Sequence, residues 1–138
     1  MFIPLCKNDL LDAGISEDNI VIYDLDRIMN CDELCNFNAI YVCGGTPQHL
    51  LNKMNETEFY IPLKKFLNNG GVYVGVSAGS VVLSKNLPNN LGYINCKLNV
   101  HAEEGTNCGH INTNNCPTIK LTDNQALIIT DSDISIIE

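Results

Sequence analysis

The chain is short of positive charge. Only 8 of its 138 residues are Lys or Arg, Arg27 being the single arginine, against 16 Asp and Glu, for a formal net charge of −8. So acidic a chain repels phosphate backbones and anionic headgroups, which argues against nucleic acid and membrane surfaces as partners. No apolar run is long enough to span a bilayer. The first residues, Met1-Phe2-Ile3-Pro4-Leu5-Cys6-Lys7, lack the charged lead and long apolar core of a secretory signal, so a cytoplasmic location is expected. The Gly-x4-Gly-Lys spacing of a phosphate loop is missing. So is any Cys-x2-Cys pair. Cys31-x3-Cys35 and the Cys108, His110, Cys116 set bring ligand types near one another without the spacing of a structural zinc site, and no metal is expected. The seven cysteines are odd in number and read as free thiols. There is no internal repeat.

What is present is the alternation of an α/β protein. Hydrophobic residues make up 45% of the chain, enough for a core, and the length fits one domain over residues 1–138. Met1–Leu5 reads as the end of a strand closed by Pro4, and Asn8–Ala13 as a short helix stopped by Gly14. Asn19–Leu25 has the apolar run of a buried strand, and Arg27–Cys35 is weakly helical. Asn38–Cys43 is a second apolar strand, followed by Gly44-Gly45-Thr46-Pro47 and a helix over Gln48–Met54. Phe59–Asn68 is an amphipathic helix ended by Asn69-Gly70-Gly71. After a polar loop at 85–92, Tyr93–Val100 alternates, and Thr118–Leu121, Ala126–Thr130 and Ile134–Ile137 read as three short strands. Short connections between alternating elements predict a mostly parallel, doubly wound sheet, with its site at the carboxyl ends of the strands.

The chain is organised around Gly71-Val72-Tyr73-Val74-Gly75-Val76-Ser77-Ala78-Gly79-Ser80. Gly75-Val76-Ser77-Ala78-Gly79 fits the Gly-x-Ser-x-Gly nucleophile elbow, in which a serine sits on a strained strand-to-helix turn whose neighbours must be small. The other reading of the same residues is a βα turn that is merely glycine-rich. The Gly44-Gly45 turn, between a strand and a helix start, presents backbone N–H groups to an anion and suits an oxyanion donor. A serine nucleophile needs a base. Of the three histidines His101 is best placed, at the end of a strand downstream of the serine. His110 lies in a loop, and His49 sits on a helix as a packing or solvent residue.

Four stretches together resemble the peptidase E family, the serine peptidases that include aspartyl dipeptidase and cyanophycinase. They are Tyr41–Leu51, Gly75–Ser80, Asn99-Val100-His101 and, more loosely, Leu121–Leu127. The resemblance implies a three-layer α/β/α sandwich of flavodoxin-like, class I glutamine-amidotransferase-like type, here as a shortened member. It implies Ser77 as nucleophile, His101 as base, and the N–H groups of Gly45 and Ala78 as oxyanion hole, with Gly44 and Thr46 as substrate contacts. No metal or organic cofactor follows from it. The expected partner is a small peptide substrate, and a homodimer is compatible with it. Departures are plain: Thr46-Pro47 stands where the family has Asn-Thr, and no Asp or Glu lies between Ser77 and His101, where the family keeps its acid. Glu103, in a His-x-Glu spacing like that of amidotransferases of the same fold, is the expected replacement, ahead of Asp123 and Glu104. The expected activity is that of a dipeptidase-like serine peptidase. The alternative is a non-catalytic member that binds a ligand or partner through the same cleft.

Overall fold

A computed structural model describes residues 3–131 and 133–138, and it divides into two compact units, residues 1–79 and 80–138. Among the described residues no helix is long and apolar enough to cross a membrane.

The first unit opens with helix α1, Ile3–Asp12. The strand expected at Met1–Leu5 is therefore not formed over its described part. Pro4 lies in the first helical turn, where a missing N–H breaks no intrahelical bond, so it starts this helix instead of ending a strand. Gly14, at φ +96°, ends the helix as expected. The apolar run Asn19–Leu25 is not a strand either. A 3-10 turn at Glu17–Asn19 takes the Ile20 N–H, and Val21 and Ile22 stay exposed. Tyr23 packs edge-on against Phe37 with ring centroids 6.0 Å apart, and the Arg27 guanidinium lies 5.4 Å over its ring. Arg27 in turn forms a bidentate pair with Glu33, which holds the Glu33 carboxyl below its ordinary range. Helix α2 is one short turn, Cys31–Leu34, capped by the Asn30 side chain.

Strand β1 is Ala39–Val42 and strand β2 is Val72–Gly75. They pair in parallel, with Ala39 opposite Val72 and Val42 opposite Gly75. Between them run α3, Pro47–Glu56, and α4, Tyr60–Asn68. Pro47 is in the first turn of α3, where it is tolerated. Leu51 and Met54 on α3, and Leu63 and Phe66 on α4, are fully buried, as their helical spacing requires. Gly71 needs its missing side chain, because a Cβ there would collide with the Phe66 ring.

Helix α5, Ala78–Val81, crosses the boundary between the units. In the second unit β3, Lys97–Asn99, pairs in parallel with β5, Thr118–Lys120. Strands β4, Gly109–His110, β6, Ala126–Thr130, and β7, Asp133–Ile137, form an antiparallel sheet in the order β4-β7-β6. The chain is thus α/β as expected, with parallel pairs in both units, while its last strands form an antiparallel hairpin and its edge. Ile94, Cys96, Leu98, Ile119, Leu121 and Ile136 make the core of this unit. Asn86 reaches β3 from the preceding loop. Its side-chain amide donates to the Leu98 carbonyl and accepts from the Leu98 N–H, both at 2.7 Å.

Candidate active site

Ser77 lies two residues beyond the end of β2 and directly before α5, at φ +54°, in the left-handed region that a residue with a Cβ rarely adopts. Three contacts impose this turn. Val76 N–H donates to the Val42 carbonyl at 3.0 Å, continuing the β1–β2 ladder past Gly75. Gly79 packs so closely on that same carbonyl that a Cβ would strike it. The Tyr73 hydroxyl donates to the Gly79 carbonyl at 2.6 Å, tying strand to helix. Burial pushes the Tyr73 pKa well up, so the group remains a donor at any physiological pH.

The Gly44–Gly45 turn, at the end of β1, comes up against Ser77. A methyl on Gly44 would touch Ser77 Cβ at 3.5 Å and Oγ at 3.8 Å, which is ordinary contact. Gly45 has φ +131°, a conformation in which its glycine is required. Thr46 is exposed and precedes α3 without a side-chain capping bond. Cys43, immediately before the turn, is the nearest thiol in sequence to this site. Desolvation first, and the neighbouring Cys6 thiol second, push it up to about 12, so it is protonated at neutral pH and does not offer a thiolate.

The second unit carries His101, the histidine expected as base. His101 lies two residues past the end of β3, at φ +56°. Its Nδ1 is 2.6 Å from Asp123 Oδ1. An ionised carboxylate only accepts, so this contact places the imidazole proton on Nδ1 and leaves Nε2 as the basic nitrogen. Both side chains are exposed, and such a pair adds little to stability. Glu103 lines an open polar depression of about 380 Å³, together with Thr106, Cys108, Gln125 and Glu138. Asp123 belongs to the Thr122–Gln125 turn, which the sequence marks as a turn between strands; it is the candidate acid for His101 that the sequence ranks behind Glu103. His110 has a carboxylate of its own: its Nδ1 lies 2.7 Å from Asp133 Oδ1. His49 is exposed on α3. Cys31 and Cys35 are half-buried, and among the described residues no group of three or more His, Cys, Asp or Glu side chains is arranged to hold a metal ion.

Residues 7–93 match the model of peptidase family S51, more than half of the chain, including both glycine turns and Ser77 but stopping short of His101. Among solved structures, the chain is similar to a candidate peptidase E protein from Listeria monocytogenes EGD-e, with a TM-score of 0.68, 19% identity, and coverage of 95% of this chain and 74% of that one. That likeness is one of fold, and it places the chain in the class I glutamine-amidotransferase-like α/β architecture. No curated protein is significantly similar in sequence.

Proposed function

The chain belongs to peptidase family S51, and from that we propose that it is a serine peptidase cleaving a short peptide or isopeptide through an acyl-enzyme on Ser77. The observation that carries this reading is the backbone of Ser77: a non-glycine residue held at φ +54° between a strand and a helix, in the position of a nucleophile-elbow serine. A strained conformation persists only where its surroundings over-determine it, and here they do.

In the proposed reaction Ser77 Oγ attacks the scissile carbonyl carbon while the His101 imidazole takes its proton. The carbonyl oxygen becomes an oxyanion, received by the N–H groups of Gly45 and Ala78. His101 then gives the proton to the leaving amine as the C–N bond breaks, and water repeats the sequence to release the acid. We take Asp123 as the acid that orients His101, ahead of Glu103, because its carboxylate is the one seen on Nδ1. Gly44 and Thr46 are the proposed substrate contacts on the turn beside the serine.

The test is labelling with a fluorophosphonate serine-hydrolase probe, read by intact mass and peptide mapping. Single-site labelling at Ser77, lost in Ser77→Ala and His101→Ala, is the expected result. A folded protein that stays unlabelled after long exposure to excess probe overturns the peptidase reading, and leaves a family member that binds a ligand or partner without turning it over.

A further inference from the structure

Asp123 sits on an exposed turn, so something must hold that turn against the histidine segment. Within the second unit the segment 101–106 runs beside β5 and the turn that follows it. Ala102 N–H donates to the Leu121 carbonyl at 3.0 Å, and Thr106 N–H to the Lys120 carbonyl at 2.8 Å. The Lys120 N–H returns a bond to Thr106 Oγ1 at 2.9 Å. Beyond Leu121 the ladder stops, and one side chain takes over. Gln125 Oε1 accepts from the Thr122 N–H at 3.1 Å, folding the turn that carries Asp123. Its Nε2 donates to the Thr106 carbonyl at 2.9 Å and faces Cys108 Sγ at 3.8 Å. The amide occupies the space where Gly105 would have a side chain, so a Cβ at Gly105 would overlap it.

We propose that Gln125 is a positioning residue: its amide clamps the Asp123 turn to the 101–106 segment and thereby sets the His101–Asp123 contact. The catalytic meaning of that contact rests on the reading given under Proposed function; the clamp itself does not. Because Asp123 is exposed, its own side chain is not packed into place, and a displacement of its turn by an ångström breaks the contact. Misplacement on that scale costs about 10²-fold in rate where orientation matters.

The experiment reads the tautomer of His101 in the full chain. Long-range ¹H–¹⁵N spectra, recorded through the non-exchanging ring protons at a pH where the imidazole is neutral, distinguish Nδ1–H from Nε2–H. His101 is assigned by its loss in His101→Ala, and His110 with its Asp133 partner is the internal control. The expected wild-type state is Nδ1–H at His101. In Gln125→Ala it moves toward the Nε2–H form, matching Asp123→Asn, while His110 is unmoved and Ser77 labelling slows about 10²-fold. Gln125→Glu keeps the length and the Oε1 acceptor but loses the donor to Thr106; it is expected to show the same change, and it decides the matter if Gln125→Ala does not fold. A folded Gln125 variant that retains Nδ1–H at His101, or a wild-type His101 already in the Nε2–H form, overturns the proposal. If wild type never labels, the peptidase reading falls, and the tautomer still reports whether Gln125 places Asp123.

Discussion

Ser77 and His101 occupy the same kind of position in two different units. Each lies two residues past the end of a strand in a parallel pair, and each is a non-glycine residue in left-handed conformation, at φ +54° and +56°. The way the two turns are held differs. The serine turn is held by backbone: the Val42 carbonyl, the close approach of Gly79, and a single hydroxyl from Tyr73. The histidine turn adjoins a segment whose backbone bonds reach only β5 and Leu121, and whose tie to the Asp123 turn itself runs through the Gln125 side chain. A turn built on backbone proximity demands glycines at fixed offsets and leaves a motif. A turn built on side-chain bonds demands only an amide or a hydroxyl somewhere within reach, and leaves none.

The largest effects test whether the two histidine–carboxylate pairs are equivalent. His101→Ala is expected to slow labelling of Ser77 by about 10⁴-fold, while His110→Ala stays within about twofold. Equal losses would mean that a histidine beside a carboxylate is not enough to identify the base. Asp123→Asn is next, with a loss between about 10² and 10⁴, against a change within about threefold for Glu103→Gln. The reverse order would return the acid to Glu103.

The glycines sharpen the contrast in bracing. Gly79→Ala forces a methyl onto a backbone carbonyl that cannot move away, and is expected to cost about 3 kcal/mol in denaturant unfolding. Gly105→Ala meets the end of a flexible glutamine and is expected to cost about 1 kcal/mol, with the His101 tautomer changing although stability barely does. Equal costs at the two sites would remove the distinction between backbone and side-chain bracing.

The smallest effect is set by pH. Cys43, just past the end of β1, and Tyr73, on β2, have raised pKa values in the folded state, Cys43 at about 12 from 9.0. A raised value means that the folded form resists losing the proton. The stabilisation linked to it is complete below the unfolded pKa, about 9 for the thiol and about 10 for the phenol, and fades as pH climbs toward the folded values. Hydrogen exchange in residues 39–79 is therefore expected to accelerate between pH 9 and 12 more than in residues 97–121, after correction for intrinsic rates. Tyr73→Phe removes part of that dependence and about 1 kcal/mol of stability.

How much could be read beforehand follows from the same division. β1, α3, α4 and β2 are visible in apolar runs, helical spacing and glycine stops, and the serine turn is visible as a pentapeptide. The run Asn19–Leu25 misleads because only Tyr23 finds partners, Phe37 and Arg27, while Val21 and Ile22 stay exposed and no sheet forms. Pro4 misleads because proline ends strands and begins helices with equal ease. Asp123 is 22 residues from His101, and the contact depends on the β3–β5 register, with Leu98 opposite Ile119, which no local pattern encodes. Gln125 stands in the sequence as one of several polar residues in a turn, within the loosely family-like stretch Leu121–Leu127, and nothing there marks its role.

Asn86 has a consequence for how this chain behaves among its neighbours. On one side of β3, Lys97 and Asn99 bond to the β5 side, so the N–H and carbonyl of Leu98 point to the opposite edge. An edge strand with such groups open is a template onto which another molecule's strand can add. Asn86 fills both with one amide, acting as a single rung of a strand that is not there. The sheet is stoppered on that side by a loop residue, and growth by strand addition is denied at the strand that leads to His101.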